Sequence, residues 1–506
     1  KGYDGTTNAT GSPSVAAGTR FGGDTLTGGT FTFDNKNVGL GNKVVSVSGI
    51  VVNDGNGGAN YLVSYASNTG SSITPASLTV TAPSVTKGYD GTTSASGTAT
   101  VGALAGAGAG ETVGTGPTLA FDDKNAGSGK TVQASGLVVL DSGGVDVTGN
   151  YAINYVGSAP STITAASLSV TAPSVTKTYD GTTIAIGTAT VGGLSGAGDV
   201  VGNAPVLAYT DPNAGTGKTV QANGLLVRDS GGVDVTANYA INYVANTSSV
   251  IQQAPLTVTA NADARFVTQA DTGGYYGASY SGFVAGETAS VLGGSLAISR
   301  PNAATDVAAG TYVGALVPAG LTSGNYTISF APGNYTIVPA NQLLVRVANS
   351  SVVYGSDLAF SLTSAQYLDT NGSTIHDLVG SSSGNSFNLN DGVGGGVNFT
   401  LRPSGATLSS AGHTVVGNYA VNDPGALISG NNFNSLVFVG NLAVTPKPVT
   451  ASAASGLTKV YDGTTSMTGV SLALAGQEAG DLLAVSGAGA FSQKNAGSGL
   501  GYTVNN

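Results

Sequence analysis

The chain has 506 residues, of which 9% are charged and 79 are glycine, with a net charge of −10 and no cysteine. The acidic balance repels a phosphate backbone and speaks against a nucleic-acid partner. Without cysteine there are no disulfides and no thiolate-ligated zinc, and no apolar run reaches the ~18 residues of a membrane-spanning helix. With so few ions, Thr, Ser, Asn and Gly must cover the surface, a profile that suits turn-dense extracellular β structure better than a cytosolic enzyme.

Along the chain, one motif sets the register. Tyr3-Asp4-Gly5-Thr6-Thr7 returns unchanged at Tyr89, Tyr179 and Tyr461. Repetition at a near-constant spacing marks an array, in which a recurring residue is expected to build the unit rather than act for the whole. The first module, residues 1–75, continues with Thr30-Phe31-Thr32-Phe33-Asp34, the turn Asn35-Lys36-Asn37-Val38-Gly39, an apolar strand around Val44 to Ile50, a glycine-rich loop, and Tyr61-Leu62-Val63-Ser64-Tyr65. The alternation of Tyr61, Val63 and Tyr65 is the period of a strand with one buried face.

Residues 76–165 repeat this plan, with Phe121 to Gly127 answering the turn and Tyr151-Ala152-Ile153-Asn154-Tyr155 closing the unit; residues 166–253 repeat it again and close on Tyr239 to Tyr243. The segment joining two units, Ser77-Leu78-Thr79-Val80-Thr81-Ala82-Pro83, is β-branched and glycine-free, so it reads as a stiff strand rather than a linker. Residues 254–339 lack the motif but end on two Asn-Tyr strands. Residues 340–446 are the least regular, and the Gly- and Ser-rich stretch 369–396 is expected to be loop. Residues 447–506 reopen the motif and stop before an Asn-Tyr strand. The chain is therefore read as a piece of something longer, cut at both ends.

No segment carries a convincing helical stripe, and helix is expected only as a turn or two, for example near Ala285-Gly286-Glu287. The expected fold is all-β, an elongated tandem array of small sandwich-like or grasp-like modules. Six modules with strands of about ten residues along the axis would span on the order of 200 Å, which a compact particle in small-angle scattering would refute.

The Tyr-Asp-Gly-Thr-Thr start, the Lys-Asn-Ala-Gly turn and the Asn-Tyr closing strand resemble the YDG domain of large bacterial exoproteins, and residues 254–446 resemble the MBG-type domains that accompany it. This resemblance implies the repeat stalk of a filamentous-haemagglutinin-like adhesin, exported by two-partner secretion to the surface or biofilm matrix of a Gram-negative bacterium and serving cell adhesion. It implies no catalytic residue.

Each candidate for chemistry has a plainer reading. Asp4, Asp90, Asp180 and Asp462 sit where an Asx turn would use them, with glycine at positive φ and the tyrosine anchoring the turn in the core. Asp141 and Asp146, with their copies Asp229 and Asp234, flank a Gly-Gly turn and are weak Ca²⁺ candidates, since neither pair completes an EF-hand spacing and calcium takes six to eight oxygens. No other cofactor is expected. Tyr275 and Tyr276 break the alternation in a Gly-rich loop and are the weak candidates for stacking on exopolysaccharide or host glycan. His376 and His413 are the only histidines, and no nucleophile motif supports a catalytic triad. Lys36-Asn37 and Lys124-Asn125 raise isopeptide chemistry, but neighbours in a turn read first as turn residues. The expected partners are neighbouring modules of the same chain.

Overall fold

The computed structural model describes the whole chain apart from residues 285, 454–456, 462–463, 484–485, 492–495, 497–501 and 506. Asp462, Ala285 and most of the Lys494-Asn495-Ala496-Gly497 turn lie outside the described residues. Nearly everything described is strand or turn, and helix is confined to three-residue 3₁₀ turns at Ala107–Ala109, Thr148–Asn150, Thr236–Asn238 and Ala289–Val291. The chain divides into two compact units, one of Lys1–Leu168, Gly192–Val201 and Val227–Asn242, the other of Ser169–Val191, Gly202–Leu226 and Tyr243–Asn506.

In the first unit, residues 1–75 form one antiparallel sheet in the order Asn8–Ala9, Thr25–Phe33, Gly39–Asn53, Asn68–Ile73. Phe33 stands opposite Val45 and Leu26 opposite Val52. Residues 76–165 make two principal sheets. One is ordered Thr86–Gly88, Ser158–Thr164, Gly127–Ser135, Thr118–Phe121; the other places the joint strand Ala76–Thr81 between Tyr151–Val156 and Thr100–Val101. The joint strand pairs in parallel with the closing strand of its own module, Tyr151 opposite Ala76 through to Val156 opposite Thr81. A segment that looked like a connector is thus the central strand of its sheet. Its alternation explains why: Leu78 and Val80 are fully buried while Ser77 and Thr79 face water. Strands that bury one face only must pack on a second layer, and Val132 and Ile163 of the other principal sheet are fully buried as well.

In the second unit the same plan recurs. Ala254–Ala260 lies between the parallel Tyr326–Ala331 and the antiparallel Ala278–Ser281, over a second sheet of Asp263–Phe266, Gly333–Val338, Gly310–Thr322 and Gly293–Ser299. Residues 340–446 carry three four-stranded sheets. The stretch 369–396, expected as loop, instead holds the strands Ile375–Asp377, Val379–Ser383 and Ser386–Asn390. Burial decides this against composition. Phe387 and Leu389 alternate inward, face Phe399 and Val397 across the ladder, and join the core built on Leu343 and Val345.

Because Leu78 fills the space beneath its sheet, Leu78→Ala is expected to destabilise residues 76–165 by about 2–5 kcal/mol, whereas Leu62→Ala, at a fully exposed position, should stay within about 0.5 kcal/mol. Hydrogen exchange of the Tyr151–Val156 amides under increasing denaturant reads both, and equal effects would contradict the assigned core.

Candidate functional site

The repeated motif builds a rigid turn. Asp90 Oδ1 accepts the Thr92 N–H and hydroxyl, both at 2.9 Å, and the Lys87 ammonium at 2.7 Å. Gly91 occupies φ +76°. Partial burial raises the Asp90 pKa, but the Lys87 and Thr92 hydrogen bonds outweigh it and hold the carboxyl below its ordinary value. Lys87 also donates to the carbonyls of Thr92 and Ser94 and lies 5.6 Å from the Phe121 ring centre. Asp4 and Asp180 are held in the same way.

The tyrosine of that turn does something the sequence reading did not anticipate. Tyr3, Tyr89 and Tyr179 are buried, as a core anchor should be, and the hydroxyl of each reaches into the next module. Tyr89 donates to Asp199 Oδ2 at 3.1 Å, and Tyr239, from the closing strand of the later module, donates to the same oxygen at 2.7 Å. The two rings meet edge to face with centroids 5.5 Å apart, and the Gly196 N–H donates to the Tyr239 oxygen at 2.9 Å. The Gly91 turn fits closely against this site: Ala197 N–H donates to the Asp90 carbonyl at 2.9 Å, and a Cβ on Gly91 would stand 2.5 Å from Ala197 N. One residue is glycine for two reasons, its φ and its neighbour.

The same arrangement occurs twice more. Glu111 accepts from Tyr3 and, at 2.7 Å, from Tyr151, whose rings sit 5.6 Å apart. In the second unit, Glu287 accepts from Tyr179 at 2.6 Å and from Tyr326, with rings 5.5 Å apart. A carboxylate held between two phenols thus couples each of the first three motifs to the module after it.

Two further contacts support this clamp. Asn150 Oδ1 accepts the Val38 N–H at 2.8 Å while its amide donates to Asn37 at 3.1 Å; Asn238 does the same to Ala126 and Asn125, and Asn325 to Ala214 and Asn213. Lys36 pairs with Asp141 at 3.0 Å and Lys124 with Asp229 at 2.7 Å. Asn150, Asn238 and Asn325, each just before a closing tyrosine, and Lys36 and Lys124 of the turns are therefore joint residues.

These contacts locate the calcium candidates. Asp141 accepts the Gly143 and Val145 N–H groups in addition to Lys36, and Asp229 accepts Gly231, Val233 and Lys124. The Val145 N–H and then Lys36 hold the Asp141 carboxyl below its usual range; for Asp229 it is Lys124 first and then Val233. Asp146 and Asp234 turn instead to the N–H groups of Thr148 and Thr236. The two carboxylates of each loop are committed to different partners, and among the described residues no group of three or more His, Asp or Glu is placed to hold a metal ion.

The glycan candidates are also engaged. Tyr275 donates to Asp271 at 2.9 Å and packs edge-on to Tyr335, 5.7 Å away. Asp271 in turn pairs with the buried Arg300, which lies over the Tyr335 ring. Tyr276 carries the Arg346 guanidinium 5.2 Å from its ring centre, and its hydroxyl is 2.7 Å from Thr363 Oγ1. His376 stacks on Tyr367 and His413 meets Tyr354 edge-on. An open pocket of about 350 Å³, marked by no motif, lies on the serine-rich strands of residues 340–446, lined by Ser381, Ser383, Asn388, Asn398, Thr400 and Asp423 among others.

The clamp has an alkaline signature. Burial first, and the Glu111 hydrogen bond after it, push Tyr151 up to about 12; burial and Asp199 do the same for Tyr239. A phenol with a raised folded pKa contributes stability that is full below its unfolded value near 10 and disappears as pH climbs to the folded value. Joint stability is therefore expected to hold to pH ~10 and fall between ~10 and ~12. Tyrosinate absorbance should show a separate group of phenols titrating near the top of that window, reduced in number by Glu111→Gln. A single transition of all tyrosines near 10 would contradict the clamp. In a double-mutant cycle, Tyr89→Phe and Asp199→Asn should couple by about 1–3 kcal/mol.

Comparison with known families places these repeats. The YDG domain model matches residues 1–70, 74–162, 164–249 and 445–506, and the MBG domain model of the YGX type matches residues 256–336. No curated protein matches the sequence. The YDG matches alone cover more than half of the chain and take in every copy of the Tyr-Asp-Gly-Thr-Thr motif. The chain belongs to the YDG domain family, as a repeat protein that sets an MBG domain among its YDG units.

Proposed function

We propose that the chain is a tension-carrying spacer of a large bacterial surface adhesin, exported by two-partner secretion and holding a binding region away from the cell or within a biofilm matrix. The observation that carries this reading is the clamp. Carboxylates shared by two phenols, Glu111 buried and Asp199 and Glu287 half-buried, join successive modules, and several of the polar residues that recur from unit to unit go into these joints. In an array of this kind stability is local and additive from module to module. No catalytic step and no bound metal is part of this function.

Single-molecule pulling between Lys1 and Asn506 tests it. The spacer reading expects a series of separate unfolding events, with Asp199→Asn lowering the force of some of them and leaving the others unchanged. A single low-force event insensitive to that substitution would count against it.

A second reading, glycan binding by residues 254–446, draws on the pocket of residues 340–446, where serine, asparagine and threonine side chains and Asp423 converge beside Phe399. Such hydroxyl- and amide-rich surfaces suit sugar hydroxyls. A glycan array with the full chain separates the two: retention that Asn388→Ala together with Asn398→Ala removes favours the binding reading, and no retention favours the spacer.

A further inference from the structure

Cysteine and methionine are the ordinary sinks of oxidation, and this chain has no cysteine, one methionine and no tryptophan against 21 tyrosines. Its oxidation chemistry therefore falls on phenols. Three joints bring two phenols to one acid, but not in the same way. At Glu111 and Glu287 each carboxylate oxygen serves one phenol, Oε1 taking Tyr3 or Tyr179 and Oε2 taking Tyr151 or Tyr326. At Asp199 both hydroxyls converge on Oδ2, from Tyr89 at 3.1 Å and from Tyr239 at 2.7 Å. The other oxygen, Oδ1, is buried and takes no hydrogen bond from any described residue. This acid gathers two phenols on one atom and keeps a second atom as an unused proton acceptor.

The ring geometry suits a reaction between the two. In a dityrosine the new bond joins the carbons beside the two hydroxyls, so the hydroxyls end side by side. Phenols that meet on one oxygen, with ring centres 5.5 Å apart, bring those carbons towards each other before any bond forms. Groups held so behave as though at very high local concentration. Tyr89 and Tyr239 are only 2% and 6% exposed, which keeps other phenols away from them. The cover is nonetheless thin: Ala197 and Gly198 are exposed and Asp199 is half-buried, so an electron leaves the rings without the oxidant entering.

We propose that Tyr89 and Tyr239 are an oxidative cross-linking site, at which a small one-electron oxidant joins successive modules through a dityrosine bond and Asp199 accepts the protons. Each phenol gives one electron to the oxidant and its hydroxyl proton to Asp199, which passes it to water. The two phenoxyl radicals then form a carbon–carbon bond. The ring hydrogens at those carbons move to the oxygens as the aromatic rings are restored, so two electrons and two protons leave per link. The bond closes a loop of 239 − 89 = 150 residues, a constraint of the kind that disulfides supply in other chains. The inference stands on joint geometry and is independent of the spacer reading.

The test illuminates the full chain, at high dilution, with ruthenium tris(bipyridine) and persulfate, and maps the monomer fraction by proteolysis and mass spectrometry. Expected is a linked peptide pair holding Tyr89 and Tyr239, two hydrogens lighter than its parts, in higher yield than links at Tyr3–Tyr151 or Tyr179–Tyr326. Asp199→Asn, which keeps an acceptor oxygen for the hydroxyls but cannot take their protons, should lower that yield at least about tenfold. Absence of the Tyr89–Tyr239 pair, a yield no higher than at the other two joints, or an undiminished yield in Asp199→Asn would each overturn the proposal.

Discussion

A carboxylate shared by two phenols is the interaction on which the order of the modules depends. Glu111 is almost completely buried, and removing an ionised carboxyl from water costs several kcal/mol unless it is well compensated. Here the compensation is two charge-assisted hydrogen bonds, one from each side of the joint, together with an edge-to-face ring pair. Such a site is a poor source of net stability and a strong source of register. Only the docking that delivers both hydroxyls satisfies the acid, and a slipped or foreign neighbour would leave it buried and unpaired.

The remaining joint contacts obey the same economy of position. Residues 76–165 show the full set, projecting their motif turn and their Lys-Asn turn forward and receiving their predecessor on Glu111, on Asn150-Tyr151 and on Asp141 of the Asp-Ser-Gly-Gly loop. The module therefore repeats in sequence because each of its ends must match the other end of a copy, not only because its core must fold. This explains why polar residues recur as faithfully as apolar ones. Where a contact lapses its partner lapses too: Pro212 stands where Lys36 and Lys124 stand in earlier turns, and the module that follows has no Asp-Ser-Gly-Gly loop.

Much of the module was legible from the chain alone. The period-2 alternation of Leu78 and Val80 marks a strand, and Asp90 with Gly91 marks a turn, because both depend on residues a few positions apart. The clamp was not legible in the same way, since Tyr3 and Glu111 are 108 residues apart, Tyr89 and Asp199 110, and Tyr179 and Glu287 108. A signal existed in that nearly constant interval, but it links one repeat to the next, and reading each unit by itself hides it. The serine-rich strands of residues 379–390 escaped for another reason. Gly and Ser report what loops tolerate, whereas Phe387 and Leu389 report what the core requires, and the core decides.

The clamp also shows what a change of module type demands. After the strand Ala254–Ala260 the chain runs Asn261-Ala262-Asp263-Ala264-Arg265-Phe266, with no motif tyrosine to offer forward. The following joint is accordingly built from other chemistry. Phe266 and Val338 pack with Leu344 and Leu368 in one apolar cluster, and Arg346 spans from Asp263 to the face of Tyr276. This joint relies on burial, where the others rely on a satisfied charge. Tyr354 then resumes the earlier pattern, with its hydroxyl 2.6 Å from Asp481. An array held by one polar code can therefore admit a different module only where a self-sufficient apolar contact replaces the tyrosine, and residues 261–368 meet that condition.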